Sequence, residues 1–288
     1  MKILGIVMVF VCVFGGYVLA GGHMGPIIKA APLEIVIIMG AAIGAFIISN
    51  TGHVIKHTLK NMNSLVKPEA YNKADYVELL SLLYTLFKLA RTKGWLALES
   101  HIENPHESEL FSRFEKFSKN HHALTFLTDY LRIISLGNEN PHELEALLDE
   151  EIETIEHEAM HPSHAIQTMA DGIPALGIVA AVLGIIKTMG AITEPPEVLG
   201  KMIGGALVGT FLGVFIAYGA VGPIASAMGA KGESEVMYYK AIKVALIAFL
   251  NGAAPQVAVE FSRKFLPHHV QPSFLELEEH LNELPAAS

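Results

Sequence analysis

The stretch GIPALGIVAAVLGIIKT, residues 172–188, carries no charge until Lys187, and GTFLGVFIAYGAVGPIA, residues 209–225, carries none at all. Runs of this kind constrain the fold more than any other feature, because a helix needs about 20 apolar residues to cross a hydrocarbon layer. Two further apolar runs lie near the N-terminus. Four spans are therefore predicted: Ile3–Ala20, Leu33–Ile48, Ile173–Met189 and Met202–Ala225. Pro32 precedes the second, and Gly/Pro-containing loops, Gly21–Ala31 and Gly190–Lys201, join the pairs. Hydrophobic residues make up 51% of the chain and charged ones 17%, too apolar for an ordinary soluble domain. The expected fold class is an all-α polytopic membrane protein with four transmembrane helices and a large helical cytoplasmic domain between the second and third. The corresponding segments are 1–48, 49–171, 172–225 and a C-terminal helix and tail over 226–288.

Basic residues set the orientation, since lysine and arginine near span ends mark the cytoplasmic side. Residues 50–172 hold eleven of the twenty, and Lys231, Lys240, Lys243, Arg263 and Lys264 lie in the C-terminal tail. The short loops hold only Lys29 and, at a boundary, Lys201. Both termini and the long central segment are thus expected inside. Lys2, the apolar run and Val18-Leu19-Ala20 also fit a cleaved leader, which would leave three spans; the basic-residue distribution favours four. The single cysteine, Cys12, permits no disulfide within the chain and reads as a small apolar-run residue. A net charge of -9 argues against nucleic acid as a partner.

In the central segment, Leu79, Leu80, Leu82, Leu83, Leu86, Phe87 and Leu89 form a broad apolar helix face that Gly94 interrupts. Glu103-Asn104-Pro105-His106-Glu107 recurs as Glu139-Asn140-Pro141-His142-Glu143. Each copy reads as a helix start, with Asn as cap, Pro at the first helical position and Glu three residues after the cap. Gly137 stops the helix before the second copy. A very acidic helix, Asp149 to Glu158, then meets His157, His161 and His164. Their i, i+4, i+7 spacing would suit a metal, but Pro162 is expected to interrupt it, and a solvated helix near the headgroups is the preferred reading. The sequence contains no Gly-rich phosphate loop, HExxH or nucleophile elbow, so no enzyme and no metal or cofactor is expected.

The third and fourth spans are built for close contact. Gly205, Gly209, Gly213 and Ala217 recur every four residues, and the third span offers Gly177 with Ala181 and Ala180 with Gly184. Stripes of small residues let membrane helices approach closely. Pro174 and Pro223 lie near the expected cytoplasmic ends, where each should kink its helix and free a carbonyl. Thr210 is the main polar group of the fourth span. Neither of these two spans holds a carboxylate in its core; Glu34 lies at the outer edge of the second, and Asp171 just precedes the third. A proton path normally needs an ionisable relay in the membrane. Either the chain conducts nothing, or a partner helix brings the carboxylate.

Ala170-Asp171-Gly172-Ile173-Pro174-Ala175-Leu176-Gly177, Val221-Gly222-Pro223-Ile224-Ala225 and the run Leu89–Pro105, with Arg91 and Glu99, resemble the MotA family, the ion-channel subunits of the bacterial flagellar stator. The resemblance runs from Met1 to about Pro267. It implies a pentamer around two single-span MotB partners that carry an essential aspartate, in the inner membrane, with the proton as coupling ion. It also implies gating roles for Pro174 and Pro223 and engagement of the rotor protein FliG by Arg91 and Glu99. On one continuous helix those two would lie about 80° apart. Sodium-driven relatives place a threonine seven residues after the third-span proline; here that position is Ala181, which offers no hydroxyl oxygen, so Thr210 reads as part of a proton path. The alternatives are an ExbB/TolQ-type energiser and a non-conducting membrane scaffold.

Overall fold

The computed structural model describes residues 2–65 and 71–285, all helix, turn or irregular chain with no strand among them. In chain order the helices are α1 (Lys2–Leu19), α2 (Gly25–Ser49), α3 (Gly52–Ser64) and α4 (Lys73–Lys93). A 3₁₀ turn (Trp95–Leu98) leads to the short helices α5 (Glu99–Glu103), α6 (Glu109–Ser112) and α7 (Glu115–Ser118). Then come α8 (His121–Ser135), α9 (Pro141–Met189), α10 (Pro196–Ile216), a π-helical turn (Ala217–Val221), α11 (Gly222–Leu250), α12 (Pro255–Phe265) and α13 (Phe274–Glu283). The described residues divide into two compact units, one drawn from 1–68 and 160–230, the other from 69–159 and 231–288.

Gly25–Ser49 in the first unit, and Pro141–Met189 and the stretch Pro196–Leu250, each partly in it, are long and apolar enough to cross a membrane, and α1 is a shorter apolar helix. Two expected loops prove partly helical. α2 starts at Gly25 and runs through Pro32, and α10 starts at Pro196, whose ring suits the first turn. The buried core is made of small and branched residues: Ile38, Ala42, Ile173, Ala180, Val208, Leu212 and Ala217. α1 docks on α10 through aromatic edges, Phe10 on Phe215 at 5.0 Å and Phe14 on Phe215 at 5.2 Å. The stretch after α2 is sharply two-sided. On α3 the bases His53, Lys56, His57 and Lys60 fall within one arc, opposite Val54, Ile55, Leu59 and Met62, and the helix has no acidic residue. That division suits a helix lying in a headgroup layer.

In the second unit, the leucine run of α4 forms the core expected of it. Leu79, Leu80, Leu82, Leu83, Leu86 and Phe87 are fully buried, and Asn72 with Asp75 closes a capping box at the start. Phe87 stacks on Phe249 at 4.5 Å and Tyr71 on Tyr238 at 3.9 Å, so α11 supplies the opposing wall. Burial pushes the Tyr239 phenol up to about 12. The acidic stretch of α9 is not simply solvated: Lys240 reaches Glu156 at 2.7 Å, Lys243 reaches Asp149 at 2.6 Å, and the Tyr130 hydroxyl donates to Glu151 at 2.7 Å.

The twin helix starts diverge. Asn140 caps α9 as read, accepting from the His142 amide and donating to Glu143. Asn104 instead opens a turn closed by the Glu107 amide. Ser108, held by His101 at 2.8 Å, caps the next helix through the Phe111 amide. Gly137 ends α8 with φ +99°, as its position predicts.

Arg263 ties the C-terminal region together. Its guanidinium is buried, pairs twice with Glu260 and donates to the Pro272 carbonyl at 2.8 Å. Replacing Arg263 with Ala strands that carbonyl and carboxylate and is expected to destabilise this unit by about 2 kcal/mol. Arg263→Lys should not restore the loss, because an ammonium lacks the planar fork. Thermal melting of the detergent-solubilised protein, followed by circular dichroism, reads both.

Candidate functional site

The glycines of α9 and α10 meet backbone to backbone. A Cβ on Gly177 would lie 2.9 Å from the Gly209 carbonyl oxygen and 2.9 Å from Gly213 Cα. One on Gly213 would lie 2.8 Å from Gly177 Cα and 3.2 Å from the Ile173 carbonyl oxygen. One turn along, a Cβ on Gly209 would stand 3.2 Å from both the Ala180 Cβ and the Ala181 amide nitrogen. Further on, Gly184 faces Ala206. The two helices therefore pair antiparallel along one seam of small residues. Gly205 is the exception in the stripe: its nearest neighbour is Ala30 of α2, at 3.9 Å. Four residues advance a helix by about 400°, so a four-residue stripe drifts by about 40° a step and turns from α2 at Gly205 to α9 at Gly213.

Gly209 sits where the stripe turns, and there the structure places a group that the sequence reading had put at the rim. Glu34 lies in the third turn of α2, is 9% exposed, and its Oε2 is 2.7 Å from where a Gly209 Cβ would be. That oxygen has no hydrogen-bond partner, alone in this among buried side-chain polar atoms of the described residues. The same side chain borders an open cleft of about 470 Å³, lined also by Lys29, Lys187, Thr188, Lys201 and Gly205. The signal for this was present: one carboxylate in an apolar helix, with small residues at 30, 205 and 209. Helix α2 begins at Gly25, eight residues before the expected Leu33, so Glu34 falls inside the helix rather than at its edge.

Ala181 is buried in the seam and Thr210, next to Gly209, is half-buried. The prolines differ from expectation. α9 runs unbroken through Pro162 and Pro174. At Pro223 the absent donor is met by a change of helix type: residues Ala217–Val221 form a π turn, and the Gly222 amide reaches back to the Ala217 carbonyl. Beyond it, the Ser163 hydroxyl donates to the Ala225 carbonyl at 2.8 Å. Because Pro162 does not break α9, the three histidines keep their spacing, yet no group of three metal-ligating side chains exists among the described residues.

Arg91 and Glu99 do not share a helix. α4 ends at Lys93, Gly94 has φ +82°, and a 3₁₀ turn intervenes before α5, so the 80° relation does not apply. Both side chains are exposed, and neither is in an ion pair among the described residues. Buried Leu98 and half-buried Trp95, edge-on to Phe249 at 5.6 Å, anchor the connecting turn. Arg132 of α8 reaches Glu103 of α5 at 2.8 Å. Burial lowers the nearby His101, against an opposing pull from Glu109, which leaves that ring uncharged at neutral pH.

The glycine seam predicts a sharp contrast. Gly177→Val has only backbone to displace and should sharply lower the amount of folded protein extracted from membranes, consistent with an overpacking penalty of about 1–3 kcal/mol or more. Gly204→Ala, with nothing within 4 Å of the added methyl, should match the parent. Yield and melting temperature of the purified variants measure the difference.

Comparison with known proteins places this geometry. Residues 3–94 match the motility protein A N-terminal model, and residues 117–241 match the MotA/TolQ/ExbB proton channel family. Motility protein A of Salmonella typhimurium and that of Escherichia coli are each 45% identical over 97% of this chain and 94% of theirs. Chemotaxis protein LafT of Vibrio parahaemolyticus is 38% identical over 98% of both. Among solved structures, a chain of the flagellar MotAB stator complex from Bacillus subtilis superposes with TM-score 0.73 at 26% identity, covering 92% of this chain and 95% of that one. A chain of C. jejuni MotAB has the same fold, with TM-score 0.72 at 23% identity over 93% and 95%.

Proposed function

We propose that this chain, which belongs to the MotA/TolQ/ExbB proton channel family, works as the stator subunit of a bacterial flagellar motor, coupling inward proton flow to torque. The observation that carries the reading is the 45% identity to motility proteins over nearly the whole chain, joined to a membrane unit whose α9–α10 seam is closed by glycine. The family is one of stator and channel subunits rather than of enzymes.

The finer reading follows from chemistry. The chain spans the inner membrane four times with both termini in the cytoplasm, which the distribution of basic residues supports. A MotB-type partner, as in the relatives solved as MotAB complexes, brings a carboxylate that the α9–α10 seam lacks. Opposite that seam, α9 exposes Ile178, Val179, Val182, Leu183, Ile185 and Ile186, an apolar face for partner helices or further copies. Five copies around two partner helices is the arrangement the family resemblance implies. Pro174, inside α9, and Pro223, in the first turn of α11, lie near the expected cytoplasmic ends of the third and fourth spans and carry shape change when the partner's aspartate is protonated. Ala181 presents no hydroxyl to a sodium ion, so the coupling ion is the proton. Each charge crossing 100 mV releases about 2.3 kcal/mol, so torque accumulates from many small steps. Arg91 and Glu99 are the exposed charges offered to the rotor protein FliG. The motility-protein match over residues 3–94 favours this role over that of an ExbB/TolQ-type energiser.

Expressed with a MotB partner in a stator-less flagellated host, the chain should restore tethered-cell rotation that ignores external sodium and stops when the proton gradient collapses. An assembled complex without rotation would overturn the reading. Pro174→Ala should insert normally and rotate weakly; full torque would remove the gating role. Arg91→Glu should lower torque at high load while proton flux stays near the parent's, and a lost flux would show that the rotor face lies elsewhere.

A further inference from the structure

We propose that Glu34 is a proton-holding station on the ion path, alternating between the site against Gly209 and the cleft bordered by Lys29, Lys187 and Lys201. The proposal rests on the stator reading above and adds to it a carboxylate that belongs to this chain rather than to a partner.

Three observations converge. Oε2 of Glu34 is buried without any donor, the one such atom among the described residues. It is buried in a place made by missing side chains, since a methyl on Gly209 would stand 2.7 Å from it. And the same residue borders an open cleft of about 470 Å³. A purely structural carboxylate in an apolar unit is paired or hydrogen-bonded, because an unpaired buried charge is costly. Glu34 is neither, although its helix neighbour at position 33 is leucine and an apolar residue would fill the same space without that cost. Polar groups tolerated inside membrane segments in this condition mark ion pathways.

The surroundings favour two positions. Against Gly209, Ala180 and Ala181, no cation or donor meets Oε2, so the protonated, uncharged carboxyl is the form that fits. Turned toward the cleft, the carboxylate faces Lys29 from α2, Lys187 from α9 and Lys201 from α10, all exposed. These are the charged groups that line the cleft, and none is an acid. The cycle is a proton transfer alone. A hydronium in the cleft gives its proton to the carboxylate, leaving water. The neutral carboxyl settles against Gly209. It then loses the proton to the next acceptor, water or the partner's carboxylate, and returns to the cleft charged. No other bond forms or breaks. Gly209 matters because any side chain there would close the inner position.

The test compares the parent, Glu34→Gln and Glu34→Asp, each as the full complex with its partner. Rotation of tethered cells is recorded over a range of external pH, together with membrane level and partner co-purification. Glu34→Gln keeps the shape and removes the titration; it should assemble like the parent and rotate several-fold more slowly, the deficit widening as external protons become scarce. Glu34→Asp should recover most of the speed. Difference infrared spectra of the purified parent complex, stepped from mildly acid to mildly alkaline pH, should show a protonated-carboxyl band that Glu34→Gln lacks. Parental speed across the pH range in Glu34→Gln would overturn the proposal while leaving the stator reading standing. Equal loss of assembly in Gln and Asp variants, with no carboxyl band assignable to Glu34 in the parent, would make the residue a packing element and overturn it too. A parent complex that assembles and drives no rotation removes the stator reading, and this proposal with it.

Discussion

Gly177 and Gly213 bring two backbones into contact, and the membrane unit is arranged around that contact. In lipid there is little hydrophobic force between helices, so association depends on van der Waals packing and on how closely the backbones can come. A methyl added at Gly177 or Gly213 would fall inside 3 Å of backbone atoms, which cannot move aside as a flexible side chain can. The seam therefore fixes the register of α9 against α10 along Gly177–Gly213, Ala181–Gly209 and Gly184–Ala206 at once. It also decides what is left outside. Branched residues that cannot enter the seam face away from it, and the apolar face Ile178 to Ile186 is the result.

The same lack of side chains makes room for chemistry. Gly209 serves α9 on one flank and α2 on the other, and only a glycine leaves space for the Glu34 carboxyl between them. A seam of alanines would pack tightly enough for a scaffold. Glycine at 209 combined with a buried, donor-free acid is more than packing requires. That excess separates a conducting reading from the inert-scaffold alternative on physical grounds rather than on resemblance alone.

Much of the architecture was legible because its signals are local. Charge-free runs located the long apolar helices, the leucine spacing gave the buried face of α4, and Gly137 and Gly94 marked helix ends through positive φ. What failed depended on partners distant in sequence. Pro196 reads as a loop residue and Pro32 as the residue before a span, yet Pro196 lies in the first turn of a helix and Pro32 lies inside one. The Asn104 copy of the helix start lost to Ser108, because His101 holds that serine and Leu110 and Phe111 are drawn into the core. The 80° relation of Arg91 to Glu99 held only for one continuous helix, and the positive φ at Gly94 ends α4 between them. Of the candidate site, the glycine stripe was visible from spacing, but its division between two neighbours was not, since spacing does not say who stands opposite.

The two prolines show how one residue type acquires different mechanical roles. Both lack an amide donor, and both were expected to kink their helices alike. Pro174 lies three residues before Gly177, where α9 is held against α10, and the helix continues through it. Pro223 follows the π turn Ala217–Val221, where each amide reaches one residue further back and the backbone is wider and less regular. A π turn can migrate or tighten to α geometry with small dihedral changes, whereas a backbone pinned at van der Waals distance cannot slide without losing its contact. A shape change transmitted through both prolines would then pivot at Pro174 and be absorbed on the α10–α11 side. The asymmetry comes from the seam, which binds one proline closely and leaves the other beyond its reach.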